Sequence, residues 1–190
     1  MVKAGLTGGI ASGKTQASKL FAAAGATIVD ADILSRRCME LPAVQEALRA
    51  AFPQAYLEGA LDRRCLRRIV FEDEAQLKKL NAITHPPIRQ AAEEALKSSN
   101  APVTILVAPL LFEAGLDDLV HPIAVITCRE ETRIARLMQR DTISEALARR
   151  MIAAQMREDE RIKRADAVIV NDGDISALAA KVQRLYREWA

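Results

Sequence analysis

The stretch "GGIASGKT", Gly8–Thr15, follows directly on the apolar run Val2–Leu6. Its spacing, G-x-x-x-x-G-K-[ST], is that of a phosphate-binding loop, the P-loop. Gly8 and Gly13 permit backbone angles that a side chain would forbid. Successive N–H groups can then point inward and cradle an anion. Lys14 supplies a point charge for the outer phosphates, and the Thr15 hydroxyl is a hard oxygen ligand suited to Mg²⁺. The helix that the loop opens adds its N-terminal N–H groups and dipole. Ala17, Leu20, Phe21 and Ala24 recur at i, i+3, i+4 and i+7, one helical face, and Gly25 stands where a C-cap glycine belongs. A run, a glycine loop and an amphipathic helix in this order predict a strand–loop–helix unit. Ala11 takes a loop position where glycine is also familiar, so no left-handed angle is expected there.

Four more β-type runs follow, at Thr27–Val29, Val103–Val107, Ala124–Thr127 and Ala167–Val170. Most are continuously apolar, which suits parallel strands covered on both faces. Helical patterns separate them. The predicted class is α/β: three α/β/α layers around a five-stranded parallel sheet, with ligands beyond the carboxyl ends of the strands. One domain spanning residues 1–190 is expected, with a helical substrate-side insertion at about 58–100 and a lid at about 129–164.

Within the insertion, Asp62 can cap "RRCLRRIVF" and Asp73 can cap "EAQLKKLNAI". "HPP" at His85–Pro87 is expected to break the chain, with Pro87 opening the next helix. In the lid region, arginines crowd at Arg129, Arg133, Arg136, Arg140, Arg149, Arg150, Arg157 and Arg161. Taken singly, with glutamates interspersed, each reads as part of a solvated face. Together, beside a P-loop, they read as a lid that closes over a triphosphate. "TISE" at Thr142–Glu145 has capping-box spacing.

The second strand runs into Asp30–Ala31–Asp32. On an extended chain both carboxylates point the same way. One can accept the proton of an attacking hydroxyl while the other holds Mg²⁺ through water or caps the following helix. The plainer alternative makes both helix caps. The third strand ends in "APLLFE", where Pro109, Leu110 and Leu111 precede Glu113, unlike a segment with an aspartate directly after the apolar run. Metal binding is therefore expected from Thr15 and the Asp30/Asp32 pair, Asp30 in particular, with Glu113 a helper or a surface residue.

Composition sets outer limits. The chain has 27 basic and 25 acidic residues, net +2, which gives no reason to expect nucleic acid as a partner. Its three cysteines form no C-x-x-C pair, so neither a disulfide framework nor a zinc site is suggested, and a cytoplasmic setting is expected. The run Pro102–Phe112 is too short to span a bilayer, no signal-peptide pattern precedes the first strand, and no appended domain is expected. Nothing in the sequence fixes an oligomeric state; a monomer is the starting expectation.

Six ordered segments together resemble the dephospho-CoA kinase family. They are "GLTGGIASGKT" (Gly5–Thr15), "DADILSRR" (Asp30–Arg37), "LNAITHPPIR" (Leu80–Arg89), "APLLFEAGL" (Ala108–Leu116), "RLMQRD" (Arg136–Asp141) and "ADAVIVNDG" (Ala165–Gly173). They run through nearly the whole chain in the family's order. The resemblance implies ATP-dependent phosphorylation of the ribose 3′-hydroxyl of dephospho-CoA, with Mg²⁺ accompanying ATP. It implies a P-loop kinase fold with a helical CoA-binding insertion and a mobile lid. It further implies an ATP site at Gly9, Ile10, Ala11, Ser12, Gly13, Lys14, Thr15 and Gln16, with Asn171 near the adenine. Asp32, Lys14 and Arg140 would carry catalysis, and Asp32, His85 and Leu110 would meet the acceptor.

Overall fold

The computed structural model describes residues 1–190. Five strands form one all-parallel sheet: β1 (Val2–Gly8), β2 (Thr27–Asp30), β5 (Val103–Val107), β6 (Ile123–Thr127) and β7 (Ala167–Val170). The spatial order is β2-β5-β1-β6-β7, so β1 is central and delivers its carboxyl end to the middle of the sheet edge. Helix α1 (Lys14–Ala24) follows the P-loop, and α9 (Ile175–Trp189) follows β7. Ala4 and Leu6 of β1, Ile105 and Val107 of β5 and Ile126 of β6 share one core with Ala17 and Phe21 of α1 and Leu178 and Val182 of α9. Phe21 stacks on Trp189 at 5.7 Å between ring centroids. As predicted, α1 closes on Gly25, which is left-handed at φ 112° and donates its N–H to Ala22 O at 3.0 Å.

The chain divides into two compact units, Met1–Asp30 with Ala95–Ala190, and Ala31–Glu94. The second contains α2 (Ala31–Cys38), α3 (Pro42–Ala51), a short hairpin of β3 (Tyr56–Leu57) and β4 (Ala60–Leu61), α4 (Arg63–Glu72) and most of α5 (Glu74–Ser98). It begins well before residue 58 because Val44 and Leu48 of α3 enter the same core as Leu66 and Val70 of α4. Asp62 caps α4 through the amides of Arg64 and Cys65, and Asp73 caps α5 through Ala75 and Gln76. The hairpin lies outside the sequence reading, being only two residues deep on each side.

Three local expectations are overturned. His85–Pro87 does not break the chain: α5 runs unbroken from Glu74 to Ser98 with Pro86 and Pro87 inside it. Two adjacent prolines remove only the N–H donors due to the carbonyls of Ala82 and Ile83, and the turns on either side carry the helix across. The DAD motif is not extended throughout: Asp30 ends β2 and Asp32 lies in the first turn of α2, so strand alternation does not govern the pair. In "TISE", Thr142 closes α6 (Glu130–Asp141) in a left-handed conformation, φ 53°, and Ser144 is the residue that caps α7 (Glu145–Ala153), accepting from Leu147 N. The cap therefore sits two residues further on than the capping-box spacing implies. Helix α8 (Glu158–Lys163) follows α7.

Candidate active site

The P-loop leaves β1 at Gly8 and enters α1 at Lys14. Gly13 is the N-cap at φ 105°, and its carbonyl accepts from Gln16 N and Ala17 N, both at 3.1 Å. A Cβ on Gly13 would lie 2.1 Å from the side-chain nitrogen of Asn171. Ala11 is left-handed at φ 59°, against expectation. The reversal needed between Gly9 and Gly13 falls on it, although an L-residue there costs about 1–2 kcal/mol.

Lys14 folds back over the loop, its Nζ donating to Gly8 O at 2.6 Å and Gly9 O at 3.0 Å. The amides of Ala11, Gly13 and Thr15 have no protein acceptor. Thr15 and Gln16 are exposed on the first turn of α1. The result is a concave set of open N–H groups, a cation within the loop and a helix N-terminus behind it, a combination that binds the oxygens of a polyphosphate. Ser12 is fully buried, and its hydroxyl has no hydrogen-bond partner.

The remaining expected residues fall in several places. Asn171 is 3% exposed and spends its side-chain N–H on Ser12 O at 2.8 Å, so this amide holds the loop. Arg140 is exposed at the end of α6 and forms a bidentate pair with Asp141, 2.7 Å on both arms. That contact holds the Asp141 carboxyl below its ordinary range and raises Arg140. Leu110 is exposed after β5, while neighbouring Leu111 is buried. In the helical unit, Asp32 is exposed and His85 is partly buried within α5. Desolvation lowers the His85 pKa from its ordinary 6.5, favouring the neutral imidazole.

Several contacts to the loop involve residues that the sequence offered only within the arginine crowding, or not at all. Arg133, 5% exposed on α6, donates from Nε to Ile10 O at 3.1 Å and pairs with Glu158 at 2.6 Å. Arg136 reaches Ala11 O, Ser12 O and Asn171 O. Gln155, between α7 and α8, accepts from Ile10 N at 2.7 Å. Glu158 also takes the Thr127 hydroxyl and lies 3.8 Å from the fully buried Arg161, whose other carboxylate neighbour is Glu113 at 3.7 Å. Glu113 is thus an ion-pair partner of a buried cation. The arginine crowding pointed to this region, but a helical pattern does not say which arginine turns inward. Arg149 and Arg157 are exposed and paired with nearby acids, as the single-residue reading expected.

A family model described as dephospho-CoA kinase matches residues 2–177. The chain belongs to the dephospho-CoA kinase family. It is 40% identical over 182 residues to the dephospho-CoA kinase of Fusobacterium nucleatum, covering 95% of this chain and 94% of that one. A solved structure from Thermus thermophilus superposes with a TM-score of 0.89 at 35% identity, covering 100% of this chain and 98% of the other. The dephospho-CoA kinase from Campylobacter jejuni gives a TM-score of 0.73 at 26% identity, covering 98% and 96%. Membership of the dephospho-CoA kinase family agrees with the open P-loop and the β2-β5-β1-β6-β7 sheet.

Proposed function

We propose that the protein transfers the γ-phosphoryl group of ATP to the ribose 3′-hydroxyl of dephospho-CoA, giving coenzyme A and ADP, the last step of coenzyme A biosynthesis. The observation that carries this reading is the P-loop itself: open amides at Ala11, Gly13 and Thr15 beside Lys14, within a chain of this family. On ATP binding, Lys14 exchanges the carbonyls of Gly8 and Gly9 for phosphate oxygens, and the loop amides hold the β-phosphate. Phosphoryl transfer requires in-line placement and neutralisation of the oxygens that gain charge. Lys14, the amides and Arg140, once released from Asp141, do the neutralising.

Asp32, exposed in the first turn of α2, is the proposed base. It orients the acceptor hydroxyl and takes its proton as the new P–O bond forms and ADP leaves. Dephospho-CoA carries a diphosphate and a long flexible arm. The helical unit holds a surface groove lined by Arg36, Arg63 and Arg67 together with Leu66, Val70 and Leu80, charge and apolar surface of the kind such an acceptor needs.

The donor set fits Mg²⁺ brought in by ATP. Thr15 offers a hard oxygen, and no group of three or more His, Cys, Asp or Glu side chains forms a metal cage. Magnesium commonly keeps several waters and takes one or two protein ligands plus phosphates. Thr15 and Asp30 would hold it, where it would supply charge neutralisation. Three unpaired thiols, Cys38, Cys65 and Cys128, favour a reducing, cytoplasmic setting.

Steady-state kinetics with an independent ATP-binding measurement test the residue roles. Asp32→Asn is expected to lower kcat by about 100-fold or more while ATP affinity stays near wild type. Lys14→Ala is expected to lose transfer. An Asp32→Asn variant that loses ATP binding as steeply as turnover removes Asp32 from the base role.

A further inference from the structure

Backbone groups on both sides of Ala11 are held from outside the loop. Ile10 donates its N–H to Gln155 Oε1 at 2.7 Å and accepts from Arg133 Nε at 3.1 Å. Ala11 O accepts from Arg136 Nη1 at 3.3 Å, and Ser12 O accepts from Asn171 Nδ2 at 2.8 Å. The side chains of Ile10 and Ala11 also pack on a small cluster made by Ile134, Leu137 and Ala148 of the lid helices. Between these fixed groups sits the one non-glycine residue of the loop in the left-handed region. An alanine there is disfavoured by roughly tenfold against right-handed backbone.

We propose that Gln155, Arg133, Arg136 and Asn171 are positioning residues for the donor site: they hold Ala11 left-handed, so that the loop amides converge before ATP arrives. Gln155 is the part of this brace with no other evident task. Its side chain is the single hydrogen-bonding reach from the α7–α8 junction to the loop. Being neutral, it takes an N–H without placing negative charge beside phosphate. Without it, the Ile10 N–H loses its acceptor and the loop is held on that side by fewer contacts, so that Ala11 relaxes toward right-handed backbone and the amides of Ala11 and Gly13 turn away. ATP then has to reorder the loop as it binds, which lowers affinity without altering the bound, saturated state.

The proposal rests on the ATP-site reading above, and the test separates the two. ATP affinity is measured by calorimetry on the full chain as wild type, Gln155→Ala, Ala11→Gly and the double variant, alongside KM and kcat. Gln155→Ala is expected to weaken ATP binding about fivefold, with KM for ATP rising in step and kcat at saturation changing less than about twofold. Glycine reaches the left-handed region without that penalty, so Gln155→Ala should cost clearly less in the Ala11→Gly background. Unliganded thermal unfolding is followed for each protein. If Gln155→Ala fails to fold, Gln155→Asn, which withdraws the same amide by one methylene, takes its place with the same ordering expected. Wild-type affinity in the Gln155 variant overturns the brace, as does an equal loss in the wild-type and Ala11→Gly backgrounds. A wild-type protein that binds no ATP overturns the donor-site reading instead.

Discussion

At residue 13 a methyl group would compete with Asn171 for the same space, at 2.1 Å, in a backbone conformation with φ 105°. Gly13→Ala is therefore expected to lose ATP binding and at least about 1 kcal/mol of stability, read by calorimetry and thermal unfolding. Near-wild-type binding would show that the loop can re-form around a side chain. His85 behaves differently. Its lowered pKa means that the unfolded chain binds its proton first, so stability rises with pH through this window. As pH falls from about 7 to 5, wild-type stability should decline more steeply than that of His85→Gln, as followed by urea unfolding across pH. Parallel curves would contradict the burial argument. Gly13, Lys14 and Thr15 were legible in the sequence because each is demanded by spacing and chemistry. The conformation of Ala11 was not, because nothing in an alanine announces a positive φ; the contacts on Ile10, Ala11 and Ser12, to which we attribute it, come from residues remote in sequence.

Among the elements, strands and capped helices were readable because their signals are local. All five core strands lie within a few residues of the apolar runs, and Gly25, Asp62 and Asp73 cap as their residue types predict. Helix α5 was misread because a proline pair looks like punctuation, whereas a long helix can lose two donors and continue. The inward arginines were hidden by the symmetry of charge along α6. Glu158 shows what such hidden contacts are worth. It is the shared carboxylate of Arg133, whose side chain is 6% exposed, and Arg161, fully buried, and it joins α8 to α6 and β6. Glu158→Gln leaves two buried guanidinium groups without it, and a loss of about 3–5 kcal/mol is expected in denaturant unfolding. A loss under about 1 kcal/mol would mean that solvent or Glu113 supplies the missing charge.

For the whole molecule, the sheet unit carries the P-loop, the proposed donor site, and the proposed acceptor residues Asp32 and His85 belong to the helical unit. The class of fold was legible because strand–loop–helix order and five apolar runs leave few alternatives. The extent of the helical unit was less so, since Val44 and Leu48 join a core completed by Leu66 and Val70 of a later helix. The central claim is that an open amide nest on one unit donates phosphoryl groups to one particular alcohol. The most direct measurement is ADP release by the purified protein with dephospho-CoA, beside a panel of nucleoside monophosphates and a control without acceptor. The account predicts rapid release with dephospho-CoA alone, one ADP per coenzyme A formed, and little turnover in the other arms. Equal or faster release with a nucleoside monophosphate, or release with no acceptor at all, would contradict it.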